Sequence, residues 1–286
     1  MAATPNPAVN LNAAIQYAQL VQLAEAVPPQ QTVYTPGDVI HIQYDTVNVD
    51  YNVVTTFYGN DLATDANPER AAQIVSFGFV AQDAAGNAVI ATRGTEGILE
   101  WVQDARFLMV KCPVLVGAGN TEDGFTSVYQ SLRITQDPQS PRLVASLGKM
   151  AFPKPVASLT ICGHSLGGAL VTLCGLDAAA NSPFQHPVVY SYASPRTGDS
   201  MFAQTYNQVV PNTFRFANRL DIVPKVPLRP PFEHVLGLFD LNPKLDVKLD
   251  ILCQHHLTTY LFLMSRLGGG TQLPLDGDCH PVALHL

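Results

Sequence analysis

The segment GHSLGGAL at residues 163–170 sets Ser165 between Gly163 and Gly167, directly behind the apolar run Val156, Ala157, Leu159, Ile161 and Cys162. A serine at a point where a strand turns into a helix is held in a strained turn, with its hydroxyl lifted clear of the sheet edge. Side chains at 163 or 167 would collide across so tight a turn, and the small Gly168 and Ala169 let the next helix sit close to the strands. From Gly167 to Ala180 the apolar positions Leu170, Val171, Leu173, Cys174 and Leu176 describe a helix with no capping side chain. Together these features predict a serine presented for nucleophilic attack.

A serine hydroxyl is a weak nucleophile until a histidine takes its proton, and that histidine needs a carboxylate to fix its tautomer and stabilise its cation. With such an elbow the partners follow in the order Ser, then Asp or Glu, then His. The best-placed acid is Asp221 in NRLDIVPKVP, after the strand-like residues 213–217 and before a proline-rich loop. Asp199 competes, although an acid just after SPRTG suits the first turn of a helix for local reasons. Downstream of the serine stand His186, His234, His255, His256, His280 and His285. His186 precedes Asp221 and is out of order, His280 and His285 sit in a Pro- and Gly-punctuated tail, and His234 reads as a hydrogen-bonded structural histidine. His255 and His256 open the helical run HHLTTYLFLM after a strand-like stretch from Leu245 to Leu252, so one of this pair is the expected general base.

The elements that must position these groups follow from periodicity. Residues 13–27 place Ala14, Tyr17, Val21, Ala24 and Val27 at helical spacing, with Gln16, Gln19, Gln22 and Glu25 between them, and Pro28 and Pro29 end the helix. This helix has no basic residue, which favours packing on a sheet over a membrane-surface role. Strand-like runs cover Val39–Tyr44 and Val49–Tyr58, and Ile74–Gln82 and Ala88–Arg93 form a hairpin across a short loop. From Val156 onward strand, helix, strand, helix and strand alternate, which implies a mixed, mostly parallel sheet covered by helices on both faces. In such sheets catalytic groups gather at the carboxyl ends of the strands, where Ser165, the Ser194-Pro195 turn and Asp221 fall. No linker interrupts the chain, so residues 1–286 read as one domain.

The composition excludes several classes. A net charge of −7 without a Lys/Arg cluster argues against a nucleic-acid partner. The apolar stretches, broken by Lys111, Pro113 and Pro227, fall short of the roughly 20 residues that a membrane-spanning helix needs. No Cys/His cluster has zinc spacing and no Gly-rich loop cradles phosphate, so neither metal nor cofactor is expected. Residues 1–12 lack the basic start and apolar core of a secretory signal; either the protein stays inside or its signal has been removed. Cys162 and Cys174 read as buried thiols, and an odd count of five cysteines makes a poor disulfide framework, though a Cys253–Cys279 bridge would tie down the tail.

Four ordered blocks, ATRGTEGILEW (91–101), DGFTSVYQSL (123–132), GHSLGGAL with YASPRTGD downstream, and DIVPKVP followed by HHLTTYL, resemble the class 3 lipases. The resemblance runs from about Phe77 to Met264 and implies an α/β-hydrolase fold and a serine carboxylic-ester hydrolase. Its first implied activity is that of a triacylglycerol lipase working through an acyl-enzyme, with phospholipase A1 or a short-chain or aromatic-acyl esterase as the nearer alternative. A non-catalytic hydrolase-like binding protein is the remote one. It implies Ser165 as nucleophile, Asp221 as the orienting acid and the histidine of an H-x-L-x-x-Y pattern as base. His255, Leu257 and Tyr260 satisfy that pattern, while the leucine found after the base in fungal members would fit His256. It also implies oxyanion donors at Thr95 and at the backbone N–H of Leu166. An ester or lipid substrate, reached at a lipid–water interface, is the implied partner, and secretion is favoured over retention. Two departures stand out. Glu122 and Asp123 occupy the place where many members carry a histidine, and a lid expected within residues 96–112 rests on an apolar patch of Ile98, Leu99, Trp101 and Val102 followed by Asp104 and Arg106, which would equally suit an ordinary packed helix.

Overall fold

A computed structural model describes residues 9–26, 34–61, 73–95, 97–104, 107–243 and 246–280. The strands are β1 (Val39–Tyr44), β2 (Val47–Asn60), β3 (Ile74–Asp83), β4 (Asn87–Thr92), β5 (Met109–Lys111), β6 (Asn120–Glu122), β7 (Ser158–His164), β8 (Val188–Tyr192), β9 (Gly198–Asp199), β10 (Thr213–Asn218), β11 (Phe232–Glu233) and β12 (Leu238–Leu241). The helices are α1 (Leu11–Glu25), α2 (Ile98–Asp104), α3 (Asp123–Ser131), α4 (Leu143–Leu147), α5 (Leu166–Asn181), α6 (Ser200–Val209), α7 (Ile251–His255) and α8 (Leu257–Gly268). The main sheet runs in the order β1-β2-β3-β4-β7-β8-β10-β12, and a small sheet in the order β11-β9-β6-β5. Pairs from β1 to β4 are antiparallel, and β4, β7, β8, β10 and β12 are parallel to one another.

The two-residue period of the strands divides the core. Leu159 and Ile161 of β7, with Ala88 and Ile90 of β4, face a cluster filled by α3, α4, α5 and α6. Cys162, with Val89 and Ala91, faces the opposite cluster, filled by α1 and α8. Each fully buried Leu or Ile contributes about 1.5–3 kcal/mol, so helices on both faces are what allow a central strand such as β7 to stay apolar along almost its whole length. This is an α/β-hydrolase fold. Among the described residues, no helix is long and apolar enough to cross a membrane.

One sequence expectation fails. Residues 246–250 form no strand, and Leu245 lies outside the described residues. Asp250 caps a helix instead, its Oδ1 accepting from the N–H groups of Leu252 (3.0 Å) and Cys253 (3.2 Å). The alternating apolar residues that suggested a strand end in Leu249, Ile251 and Leu252, which are exposed. The edge of the sheet is β12, earlier in the chain.

The Cys253–Cys279 disulfide is formed, across a separation of 26 residues, while Cys112, Cys162 and Cys174 are free and buried. It fastens the tail to α7, two residues before His255. Closing a loop of that length in the unfolded chain corresponds to roughly 3–4 kcal/mol. The double variant Cys253→Ser, Cys279→Ser is expected to lose stability of that order in denaturant melts; a loss below about 1 kcal/mol would show that the tail is held by packing alone.

Candidate active site

Strand β7 becomes helix α5 through Ser165, whose φ of 59° and ψ of −125° lie outside the helical and strand regions. The flanking glycines are fixed by contact. A Cβ at Gly163 would sit 2.5 Å from the Gly167 carbonyl oxygen, and one at Gly167 would sit 2.5 Å from that of Arg93, just past the end of β4. A serine at a helix start ordinarily caps it with its hydroxyl. Here the turn prevents that, and the hydroxyl makes no bond to α5. The Ser165 N–H donates to the Tyr192 carbonyl on β8 (2.9 Å), which pins the turn to the sheet.

The hydroxyl is aimed instead at His255, with Ser165 Oγ 2.9 Å from His255 Nε2. His255 Nδ1 lies 2.8 Å from Asp221 Oδ2. A carboxylate can only accept, so the ring hydrogen belongs on Nδ1 and Nε2 is free to take the serine's proton. Asp221 is fully buried. Its Oδ1 accepts from the Val223 N–H (2.9 Å), and Oδ2 also accepts from the Tyr260 hydroxyl (2.7 Å). Tyr260 stood in the sequence only as one letter of a pattern. In the structure it is the second donor to the acid, and the Asn218 N–H donates to it in turn (3.1 Å).

The competing residues lie elsewhere. His256 turns toward its own helix and caps α8, its Nδ1 accepting from the Thr258 N–H. Asp199 caps α6 through the Phe202 N–H (2.8 Å) and accepts from the Asn120 side chain (2.7 Å). His234 donates to the Pro224 carbonyl (2.7 Å), and burial beside Arg215 brings it down to about 3. His186 and His280 are exposed, and His285 lies outside the described residues.

A cavity of about 230 Å³ opens onto Ser165 and His255 and is walled by Thr95, Ile98, Leu252 and Leu257 among others. Leu166 begins α5, so its N–H has no partner within the helix. The Thr95 hydroxyl donates to Asp61 Oδ1 (3.0 Å). A hydroxyl has one hydrogen to give, so in this arrangement the Thr95 hydroxyl gives it to Asp61 rather than to the cavity. In α2, Ile98 and Trp101 are buried, and the Trp101 ring packs against Phe107 and Phe125 at centroid distances of 4.9 and 4.7 Å. Glu96 and Arg106, and the side chains of Leu99 and Asp104, lie outside what is described.

An elbow serine in line with a histidine and a buried aspartate, on a parallel sheet between two helical layers, defines the α/β-hydrolase class. Residues 89–230 match the family described as Lipase (class 3). Secreted mono- and diacylglycerol lipase A of Penicillium cyclopium is 34% identical over 152 residues, 53% of this chain and 47% of that protein. Phospholipase A1-IIgamma of Arabidopsis thaliana is 31% identical over 159 residues, 49% of this chain and 38% of that protein. A fungal lipase crystal structure superposes with a TM-score of 0.64 at 23% identity, covering 86% of this chain and 85% of that one. The Lip2 lipase of Yarrowia lipolytica does so with a TM-score of 0.59 at 20% identity, covering 83% and 80%. The chain belongs to the class 3 lipase family. It spans about half the length of the curated relatives it matches.

Glu122 is a buried acid that sequence reading left without a role. It caps α3, its carboxylate accepting from the Phe125 N–H (2.8 Å). Burial pushes its carboxyl up to about 7. A carboxyl raised by folding supports the fold fully below its ordinary range and withdraws that support as pH rises through about 7. Glu122→Gln keeps the capping oxygen and removes the ionisation. It is expected to be more stable than the parent at pH 8, by on the order of 3 kcal/mol, and nearly equal to it at pH 5. Thermal melts at the two pH values check this; equal melting temperatures at pH 8 would show that Glu122 is ionised at little cost.

Proposed function

We propose that the chain is a serine carboxylic-ester hydrolase acting on acylglycerols, in the first instance a triacylglycerol lipase. The observation that carries this reading is the unbroken line from Ser165 Oγ through the His255 ring to Asp221, with separations of 2.9 and 2.8 Å, opening onto an apolar-walled cavity. In the proposed reaction Ser165 Oγ attacks the ester carbonyl carbon while its proton passes to His255 Nε2, and the Asp221 carboxylate stabilises the imidazolium. The carbonyl oxygen, now negative, is met by the backbone N–H groups of Leu166 and Thr95; removing one such donor costs about 3 kcal/mol. Collapse expels the alcohol, which takes the proton from His255. Water, deprotonated by His255, then attacks the acyl-enzyme and releases the fatty acid. No step calls on a metal or cofactor.

The name of the Penicillium relative supports an acylglycerol substrate and export, and a disulfide is at home in an oxidising compartment. The Arabidopsis relative's name supports phospholipase A1 as the second reading. Residues 96–112 serve as the lid in this proposal. Because Trp101 is anchored between Phe107 and Phe125, opening would draw its ring out of the core, so turnover should rise sharply when substrate forms an emulsion.

Hydrolysis of p-nitrophenyl esters of graded acyl length, with triacylglycerol and phosphatidylcholine emulsions beside them, tests the reading. Ser165→Ala and His255→Ala are each expected to lower kcat at least about 10⁴-fold, with His256→Ala keeping most of it. Activity that survives Ser165→Ala would end the mechanism. A preference for acyl chains below about six carbons with no response to emulsions would make the protein an esterase, because a lipase pocket gains affinity with each added methylene.

A further inference from the structure

Behind the triad lies a second histidine–carboxylate pair that the reaction as drawn does not use. His164, the residue before Ser165, has its Nδ1 2.8 Å from Oε1 of Glu25, the last residue of α1. Its Nε2 lies 2.9 Å from the backbone carbonyl oxygen of His255. The same Glu25 oxygen accepts from the Gly94 N–H (3.2 Å), one residue before Thr95. The Glu25–His164 pair thus joins three segments: the elbow, the loop that carries Thr95, and the turn that carries His255. His164 is buried, and its ring lies 4.8 Å from the His255 ring.

The donor inventory limits how this cluster can be protonated. The His255 carbonyl can only accept, which requires hydrogen on His164 Nε2. Glu25 Oε1 already accepts from Gly94, and as a carboxylate oxygen it also accepts from Nδ1. Both ring nitrogens then carry hydrogen and the ring is a cation. The titratable groups around it are Glu25 from α1, Asp221 from the loop after β10, and the two neighbouring histidines, His255 of α7 and His256 at the start of α8; the Tyr260 ring of α8 lies 6.0 Å away. Burial opposes the charge on His164, and the Glu25 carboxylate overrides it, holding His164 above its ordinary range; Glu25 is itself held below the usual carboxylate range by His164, against its own burial.

We propose that Glu25 is a positioning residue: as a carboxylate it keeps His164 an imidazolium, which grips the backbone of the base His255 while Glu25 grips the loop of the oxyanion donor Thr95. The inference rests on the reaction proposed above. Glutamine does not replace this carboxylate. If its carbonyl faces the cluster, a neutral His164 bearing hydrogen on Nδ1 sets a bare Nε2 against the His255 carbonyl. If its amide nitrogen faces the cluster, that nitrogen meets the Gly94 N–H. Only protonation of His164 restores the network in the variant, and without the carboxylate that happens at lower pH. In the parent, with Glu25 ionised, the grip persists as pH rises until it passes the raised His164 value, and there it is lost.

Two measurements test this. In pH profiles of ester hydrolysis, Glu25→Gln is expected to lower kcat about tenfold at pH 7 with KM within about twofold, and to bring the alkaline fall of kcat to lower pH. Glu25→Ala is expected to lose more, at every pH. In the protein labelled with ¹⁵N-histidine, His164 is expected to show both ring nitrogens protonated at pH 7, and a single protonated nitrogen in Glu25→Gln. A neutral His164 in the parent would overturn the proposal without any assay of activity. So would Glu25→Gln with an unchanged kcat and alkaline limb, or one that lowers only the melting temperature. Turnover insensitive to Ser165→Ala would remove the reaction and with it the positioning role, while the ¹⁵N result would still report the pair, so the two failures are distinguishable.

Discussion

A strand in the middle of the sheet has to end and become a helix within a single residue, and the rest of the site depends on how Ser165 meets that demand. Its positive φ costs on the order of 1–3 kcal/mol, a penalty offset by α5, which is buried along most of its length. The turn has three consequences at once. It removes the serine hydroxyl from the capping position it would take at an ordinary helix start. It puts the first N–H of α5, which has no partner within the helix, on the residue next to that serine. And it leaves no room for a Cβ at 163 or 167, because the chain there lies against the carbonyls of Gly167 and Arg93.

The second constraint is the burial of Asp221. A carboxylate without water keeps its charge only where hydrogen-bond donors replace that water. Val223 supplies one from the acid's own turn, and Tyr260 and His255 supply the others from α8 and α7. The buried carboxylate therefore has its full set of hydrogen-bond donors only once the C-terminal helices have docked. α8 packs in the same apolar cluster as α1, and α7 is tied by Cys253 to the tail. The base arrives at the serine as part of a clamp made of chain remote from the elbow.

How much of this could be read from the sequence follows from how local each feature is. The elbow was legible because strand period, glycine spacing and helix pattern all lie within residues 156–180. Asp221 was legible from chain order and its place after β10. The choice between His255 and His256 was open in the residues alone, since adjacent histidines share every sequence property; it turns on where α7 ends, and that is set by the Asp250 cap and the packing of α8. The same stretch misled the strand reading, because alternating apolar residues are equally what a surface loop and the first turn of α7 present: Leu249, Ile251 and Leu252 are all exposed, and Leu252 lines the cavity. Asp61, which takes the Thr95 hydroxyl hydrogen, and Tyr260, which bonds the acid, lie 34 and 39 residues from their partners. No spacing rule reaches that far.

Glu25 shows why distance in sequence and closeness in function are compatible here. In the helix pattern of residues 13–27 it was one more polar position between apolar ones. It is also the residue at which α1 ends, and the apolar face that docks α1 on the sheet carries that end to the elbow. Burying a carboxylate and an imidazolium is costly unless each finds the other and the remaining hydrogen bonds are filled. Those bonds come from Gly94 and the His255 carbonyl, segments that converge only when the sheet and both helical layers are in place. The pair is therefore stable under the same condition that makes the catalytic geometry correct. An N-terminal helix that looks like passive cover for one face of the sheet thereby becomes part of what holds the base and the oxyanion loop in register with the nucleophile.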